Sequence, residues 1–403
     1  RILTLSPPHE ISMKSLLHLS GAAALTLALA APLSAQLEPG SEVTSLGPVG
    51  GNAISAAINP DDPDEILVVS LPKGILRSTD GGVTFGLSNY GSGIGTDVRE
   101  LIPSPADTAT LFARAGNRVY TSTDFGASWT DTGLVGLYST LKSLAVASNG
   151  SDLLALDAFN VYHSPDGGAT WNTVLQVVPF GGTVLGAVAY APSNASVAYM
   201  EAGNDGLYRS DNGGANFVLT TAALPGGVDG MLVSDSDPDT VFFGSNFNGL
   251  RVTDNGGGTV SPVPGAPTGN GQWLVSEPDG SLWYATLQDL HHSTDGGTTW
   301  TSVIAGLHPL TPIPAALALA PDGTRYLCAE SNSLFADQTG GGLYRMPAGP
   351  PSSWDHIAFL ASPIPVAAIP VPGGQRVVGF GNGIYTADPG EDLASTALFL
   401  FDT

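Results

Sequence analysis

Cysteine is almost absent from this sequence. Cys328 is the single one, so an internal disulfide is not possible. It lies in the apolar run Arg325-Tyr-Leu-Cys-Ala, and an isolated cysteine in such a run is typical of a small buried hydrophobic residue. The sequence therefore predicts neither a catalytic thiol nor a disulfide scaffold.

Charged residues are also scarce, and positively charged ones most of all. Only 12% of the 403 residues are charged, with 13 Lys and Arg against 36 Asp and Glu. A formal net charge of -23 repels nucleic acid and anionic membrane surfaces, so neither is an expected partner. Glycine and proline are abundant, at 52 and 31 residues, and 42% of residues are hydrophobic. This balance indicates a folded core of short strands and tight turns.

Long apolar runs are confined to the N-terminus. Met13-Lys14 precedes an apolar run over residues 21–31, and small residues follow it up to Gln36. This order predicts a signal peptide over residues 13–35, with residues 1–12 as an over-extended start. The run is too short for a comfortable membrane span. We therefore expect a secreted or periplasmic protein with no stable membrane insertion after cleavage.

One short pattern recurs down the chain. Each copy has an Asp or Asn in a Ser-, Thr- and Gly-rich turn, usually followed by an aromatic residue. The copies are Asp80 with Phe85, Asp124 with Trp129, Asp166 with Trp171, Asn212 with Phe217, Asp254 alone, and Asp295 with Trp300. The Asp or Asn position advances by about 43 residues each time, a length typical of propeller blades.

Strand-like segments surround every copy in the same order. Two strands precede it, joined by a turn rich in Pro and Asp, a third strand leads into it, and a fourth follows. We therefore predict an all-β chain with a single β-propeller of four-stranded antiparallel blades over residues 46–403. Eight blades are favoured and seven are the alternative. Residues 36–45 are a lead-in or a closing strand, and two segments, 42–46 and 397–401, compete to close the ring.

The pattern Ser-x-Asp-x-Gly-x-x-Trp resembles the Asp box, also called the BNR repeat. Its Asp can accept backbone N–H groups across a tight turn, its Gly suits a positive φ, and its aromatic residue can pack between blades. A turn residue repeated around a ring cannot converge on one substrate, so we expect these Asp residues to be structural. Other acidic groups, at 61–64 and 235–239, lack the spacing of a calcium loop. No metal or cofactor is predicted.

Asp-box propellers include sialidases, xyloglucan-cleaving endoglucanases, sortilin-type receptor domains, photosystem assembly factors and many secreted bacterial proteins. The resemblance covers roughly residues 45–390, through the repeat only. A sialidase would bring a Phe/Tyr-Arg-Ile-Pro element, which does not follow Gln36. A xyloglucanase would bring an aromatic cleft between two propellers, whereas this chain has room for one. An assembly factor would bring a basic docking patch, which this acidic chain largely lacks.

Binding residues of a propeller usually lie on the second-to-third strand turns and on the connections between blades, which share one face. Charged residues collect at these positions in a chain that otherwise uses few. The candidate ligand-binding residues are Arg99, Arg114, Arg118, Asp157, Glu201, Asp205, Asp289 and Glu330. Among them, Asp157, Glu201 and Glu330 are candidate general acids or bases for a glycosidic bond. The alternative is that these loop ends are simply polar and solvated.

We therefore predict a secreted binding or scaffold propeller for a carbohydrate or protein ligand. One alternative is a glycoside hydrolase, sialidase-like or endoglucanase-like, and another is a factor that docks protein partners. A deep pocket with two carboxylates in reach of one bond would favour the enzyme. A shallow, wide face would favour the binding module.

Overall fold

The computed structural model describes much of the chain between residues 44 and 387. The described residues are 44–45, 52–62, 64–71, 73–81, 84–89, 91–177, 185–221, 230–244, 249–268, 271–277, 279–286, 289–307, 313–319, 323–330, 342–358, 364–371, 374–380 and 384–387. The predicted signal peptide and the segment 397–401 lie outside them. Within them, no helix is long and apolar enough to cross a membrane.

The first half of the chain forms antiparallel sheets of four consecutive strands after one short N-terminal strand. These strands are β1 (Thr44–Ser45), β2 (Asn52–Ile58), β3 (Ile66–Leu71), β4 (Gly74–Ser78), β5 (Gly86–Leu87), β6 (Val98–Pro103), β7 (Leu111–Ala115), β8 (Arg118–Ser122), β9 (Thr130–Asp131), β10 (Ser143–Val146), β11 (Leu153–Leu156), β12 (Asn160–Ser164), β13 (Asn172–Gln176), β14 (Val188–Ala191), β15 (Asn194–Glu201), β16 (Leu207–Ser210) and β17 (Val218–Thr221). A 3-10 turn, Gly203–Asp205, follows β15.

The second half repeats the same arrangement. Its strands are β18 (Gly230–Val233), β19 (Val241–Gly244), β20 (Arg251–Thr253), β21 (Ser261–Pro262), β22 (Gly271–Ser276), β23 (Leu282–Thr286), β24 (Leu290–Ser293), β25 (Thr301–Ser302), β26 (Ile313–Leu319), β27 (Arg325–Glu330), β28 (Gly342–Met346), β29 (Asp355–Ala358), β30 (Ile364–Val371), β31 (Gly374–Phe380) and β32 (Ile384–Ala387). Together the described strands form eight four-stranded sheets, numbered here in chain order from β2–β5.

The sheets are arranged in a ring. First strands of successive sheets contact one another, as β2 and β6, β14 and β18, and β26 and β30 do, and β30 also contacts β2. The eighth sheet is completed by β1, which pairs antiparallel with β32, Thr44 opposite Thr386 and Ser45 opposite Tyr385. Of the two segments considered for this place, the N-terminal one therefore occupies it. The prediction of a β-propeller of four-stranded antiparallel blades is confirmed.

The core consists of apolar clusters between neighbouring sheets rather than one central mass. One cluster joins Leu67 and Val69 of the first sheet to Leu111 and Trp129 of the second. Equivalent clusters lie between each later pair up to the sixth and seventh sheets. The strands are buried on both faces, as in β12 and β23, because each sheet is covered by its two neighbours. Burial therefore holds the ring together through sheet-to-sheet contacts.

The repeated pattern forms the turn between the third and fourth strands of a sheet. In the third sheet, Asp166 Oδ1 accepts hydrogen bonds from Ser164 Oγ at 2.9 Å and Thr170 N at 2.8 Å, and Oδ2 accepts from Thr170 Oγ1 at 2.6 Å. Asp80, Asp124 and Asp295 make the same set of bonds. Each carboxylate thus closes its own turn.

The fifth copy is shifted by one residue from the position assigned in the sequence analysis. Asn255 Oδ1, not Asp254, accepts from Thr253 Oγ1 at 2.9 Å and from Thr259 N at 3.0 Å. The anchor must lie two residues after the hydroxyl residue of the third strand, and Thr253 fixes that count. Asn212 fills the same place in the fourth sheet. An amide oxygen can therefore replace the carboxylate in this turn.

Candidate functional site

The predicted carboxylates lie where the second strands of their sheets end. Asp157 follows β11 in the third sheet, Glu201 ends β15 in the neighbouring fourth sheet, and Glu330 ends β27 in the seventh. The side chain of Glu330 is outside the described part of the chain. Asp157 is 0% exposed and Glu201 2% exposed. The face that carries the second-to-third strand turns and the connections between sheets is called the loop face below. Neither carboxylate is exposed on it.

Asp157 is surrounded by hydrogen-bond donors. Its Oδ1 accepts from the backbone N–H groups of Phe159 and Asn160, both at 2.8 Å, and its Oδ2 accepts from the Tyr162 hydroxyl at 2.8 Å. Burial by itself raises the pKa of Asp157, but the bonds from Phe159, Tyr162 and Asn160 outweigh it and hold the pKa below its usual value. Asp157 is therefore ionised at neutral pH and fully occupied by the protein.

Both carboxylate oxygens of Glu201 also contact neighbouring backbone. Its Oε1 accepts from the backbone N–H of Gly203, the first residue of the 3-10 turn, at 2.5 Å. Its Oε2 lies so close to Gly186 that a Cβ there would be 1.8 Å away. The connection between the third and fourth sheets therefore packs directly on this carboxylate.

The predicted arginines are all paired. The pairs are Arg99 with Asp97 at 2.6 Å, Arg114 with Glu100 at 3.0 Å, and Arg118 with Asp131 at 2.6 Å. Arg114 also donates to the backbone oxygen of Leu141 at 2.5 Å. Each of these three arginines therefore neutralises a nearby carboxylate.

The remaining two acidic candidates lie in the fourth and sixth sheets. Asp205 is exposed in the 3-10 turn. Asp289 Oδ1 accepts from Leu290 N and Ser302 Oγ, both at 2.8 Å, within the sixth sheet. Among the described residues, no group of three or more His, Cys, Asp or Glu is arranged to hold a metal ion.

A feature that the sequence analysis missed lies directly above Asp157. The connection between β9 and β10 contains residues 134–141, called the ridge below. Its backbone is fixed to the second sheet, because Gly136 N donates to Asn117 O and Leu141 N donates to Gly116 O, both at 2.8 Å. The ridge therefore lies across the turn of the second sheet in a defined conformation.

The other side of the ridge is fixed to the third sheet. Asp157 Oδ2 accepts from Leu137 N at 3.1 Å and from Tyr138 N at 3.3 Å. Ser139 Oγ accepts from Ala158 N at 3.2 Å. A buried charge thus orients two backbone groups whose side chains point away from the core.

Three side chains of the ridge form an apolar surface on the loop face, whereas Leu134 and Leu141 are buried in the core. Leu137 is 69% exposed, Tyr138 53% and Val135 41%. The ring of Tyr138 meets Phe159 edge to face, with centroids 5.5 Å apart, and its hydroxyl accepts from Gln176 Nε2 at 3.3 Å. Such a surface, an aromatic ring with apolar neighbours and a polar rim, can bury the apolar face of a ligand.

The sequence contained a signal for the ridge. Residues 134–138, Leu-Val-Gly-Leu-Tyr, are an apolar run in a connection between strands rather than within a strand. Connections are usually polar because water solvates them, so an apolar run there is the signal that could have located this exposed surface.

A separate cavity of about 370 Å³ lies between the fifth and sixth sheets, on the face of the repeated turns. Its lining includes Asp235, Asp237 and Asp279 beside serine and threonine residues. Ser276 Oγ donates to Asp235 Oδ2 at 2.6 Å. This cavity is on the opposite end of the sheets from the ridge.

Comparison with known proteins finds one curated sequence relative. It is a xyloglucanase from a Paenibacillus species, 28% identical over 296 residues. The match covers 62% of this chain and 26% of the xyloglucanase, so the chain spans about a quarter of the relative's length. No protein-family model matches the chain.

Solved structures with the same fold are numerous. An ancestral GH74 enzyme has a TM-score of 0.57 at 17% identity, covering 86% of this chain and 50% of its own. The C-terminal WD40 domain of Sif2 has a TM-score of 0.61 at 9% identity, covering 87% and 99%. YCF48 bound to a D1 peptide has a TM-score of 0.51 at 14% identity, covering 88% and 96%. At these identities the likeness shows the propeller fold alone.

Proposed function

We propose that this protein is a secreted carbohydrate-binding propeller that takes a neutral polysaccharide of the β-glucan type on the ridge. The exposed Tyr138 ring on a rigid backbone is the observation that carries this proposal. Apolar faces of sugar rings stack on aromatic side chains, while the surrounding hydroxyls hydrogen-bond to a polar rim such as Gln176. The ridge offers both kinds of contact.

The choice of a carbohydrate rests on the relative named a xyloglucanase. The choice of a neutral one rests on charge, because a chain of net charge -23 repels anionic polysaccharides. We also propose that the repeated turns are Asp boxes, on the basis of their hydrogen-bond pattern, and that residues 13–35 direct export. An exported protein would meet polysaccharides outside the cell.

The test is a binding measurement on the mature chain with xyloglucan, mixed-linkage β-glucan and polygalacturonate as probes. We expect the first two to bind and the anionic polymer not to bind. Tyr138→Ala is expected to weaken binding at least tenfold, about 1.4 kcal/mol, because the ring loses its stacking contact. Tyr138→Phe keeps the ring and loses only the bond from Gln176, so it retains most of the affinity.

A matched control separates the ridge from exposed apolar surface in general. Val218 is 65% exposed and begins β17, the fourth strand of the fourth sheet, directly after that sheet's repeated turn. Val218→Ala should bind as the unchanged protein does. An affinity of Tyr138→Ala equal to that of the unchanged protein would contradict the proposal. Capture of a protein partner by the ridge of the unchanged protein would favour the protein-docking function instead.

Hydrolysis of a glycosidic bond is the second candidate function, favoured by the name of the same relative. Asp157 and Glu201 would have to leave buried hydrogen-bond networks to reach a substrate. Release of reducing ends from xyloglucan, absent in Glu330→Gln, would support hydrolysis and would place the catalytic carboxylate in the seventh sheet. Binding without release supports the recognition module.

A further inference from the structure

The two oxygens of Asp157 serve different parts of the structure. Oδ1 accepts from Phe159 N and Asn160 N, which belong to the turn between β11 and β12. Oδ2 accepts from Leu137 N and Tyr138 N, which belong to the ridge. One carboxylate therefore joins a turn of the third sheet to the connection that arrives from the second.

Only a carboxylate can meet both demands. All four backbone groups are donors, so each oxygen must accept, and an amide side chain offers one accepting oxygen and one donating NH₂ group. An Asn at position 157 would keep its oxygen for the turn and face its NH₂ group toward Leu137 N and Tyr138 N. The turn of the third sheet would remain closed, whereas the ridge would lose both of its bonds to residue 157 and keep the one from Leu137 N to the Tyr162 hydroxyl.

Leu134 and Leu141 fix the two ends of the ridge, because they are only 4% and 1% exposed. Between them Leu137 and Tyr138 are exposed and gain little from burial, and the side chain of Tyr138 contacts the edge of Phe159 and the amide of Gln176. A loop that is fixed before its ligand arrives avoids the entropy cost of being ordered on binding. The anchor therefore affects affinity without touching the ligand.

We propose that Asp157 is the positioning residue of the ligand site, which holds the ridge in its binding conformation through the amides of Leu137 and Tyr138. This inference rests on the proposed function for its ligand. Tyr162 assists, because its hydroxyl donates to Asp157 Oδ2 at 2.8 Å and accepts from Leu137 N at 3.0 Å.

The experiment compares Asp157→Asn with Asp166→Asn. Both replace a carboxylate by an amide in the third sheet, but Asp166 closes the repeated turn at the other end of the sheet. The equivalent position is Asn212 in the fourth sheet and Asn255 in the fifth, so an amide is accepted there. The readouts are hydrogen exchange at the amides of residues 137 and 138, affinity for xyloglucan, and the thermal midpoint.

Asp157→Asn is expected to speed exchange at both amides at least tenfold and to weaken xyloglucan binding about tenfold. Asp166→Asn should change neither the exchange at these two amides nor the affinity for xyloglucan. Tyr162→Phe removes one of the groups that hold the anchor, so it should act in the same direction with a smaller effect. It tests the inference in a folded protein if Asp157→Asn does not fold.

Two results would overturn the inference. One is unchanged exchange at the two amides in Asp157→Asn and Tyr162→Phe. The other is unchanged affinity in Asp157→Asn while Tyr138→Ala has lost its affinity. Failure of the proposed function has a different signature, wild-type affinity in Tyr138→Ala, and amide exchange would still report whether Asp157 anchors the ridge.

Discussion

Arg325 in β27 and Glu277 after β22 form an ion pair that joins the sixth and seventh sheets, and its loss should be costly. Their side chains are only 7% and 10% exposed. Arg325 Nε donates to Glu277 Oε1 at 2.5 Å, and its second terminal nitrogen donates to Oε2 at 2.9 Å. Trp283 Nε1 donates to the same Oε1 at 2.6 Å, and Arg325 also donates to Gly349 O at 2.8 Å. We therefore predict a strong effect of removing either charge.

The magnitude follows from what each variant leaves behind. Arg325→Met leaves a buried carboxylate whose remaining neutral donor is Trp283, and Glu277→Met leaves a buried guanidinium, so each should lose about 3–5 kcal/mol of stability. The double variant removes both charges. It still leaves Trp283 N–H and Gly349 C=O without these partners, and each loss lowers the stability by about 1–3 kcal/mol. Because no buried charge remains to be desolvated, about 1–4 kcal/mol of stability is regained. We expect it to be more stable than either single variant.

The assay is urea unfolding followed by tryptophan fluorescence. The rings of Trp283 and Trp354 lie 6.0 Å apart beside this ion pair, so they report on the junction of the two sheets. Arg345→Met is the matched control, because its pair with Asp355 has side chains 45% and 60% exposed, and such a pair contributes less than about 1 kcal/mol. Losses below about 1 kcal/mol in the buried single variants, or a double variant that loses the sum of both, would refute the reasoning.

Two further predictions concern the repeated turns. Bonds from Thr299 and Ser293 lower the pKa of Asp295 to about 2, so its contribution to stability is present above about pH 4 and is lost as the pH falls toward 2. Asp295→Asn should remove this part of the acid sensitivity, measured as the thermal midpoint at several pH values, and an unchanged pH profile would contradict the assignment. Phe125 has a φ of 46° where the other turns have glycine, and its side chain is buried, so Phe125→Ala keeps the strain and loses the packing. Phe125→Gly should therefore be more stable than Phe125→Ala by about 1 kcal/mol in urea unfolding, although Ala is normally the more stable of the two. An Ala variant more stable than the Gly variant would show that the backbone is not strained at this position.

The fold was predictable because its signals are local. Turn residues, strand-like runs and the spacing of the repeated pattern all act within one blade, so the order of strands within a blade could be predicted from the sequence, while the blade count stayed open between seven and eight. The repeat did not predict which residue closes the turn in its fifth and weakest copy. Asp254 and Asn255 are adjacent and both can close a turn, and only the strand pairing that places Thr253 decides between them.

The candidate site was less predictable. Asp157 and Glu201 were singled out as charged residues on binding loops, and they lie at those loops, but their side chains turn inward onto neighbouring backbone. Whether a loop carboxylate faces solvent depends on which connection packs over it. That connection comes from another sheet, so the local sequence around Asp157 does not contain this information.

The sequence by itself determined a ring of β-hairpins, because the spacing of turn residues and the alternation of short strands impose four-stranded units on the chain. It also determined the acidic charge that disfavours anionic ligands. Only the tertiary structure decided which groups face outward. Leu137 and Tyr138 are exposed and Asp157 is buried because the connection between the second and third sheets crosses over the turn of the third, and this contact exists only once the two sheets lie side by side.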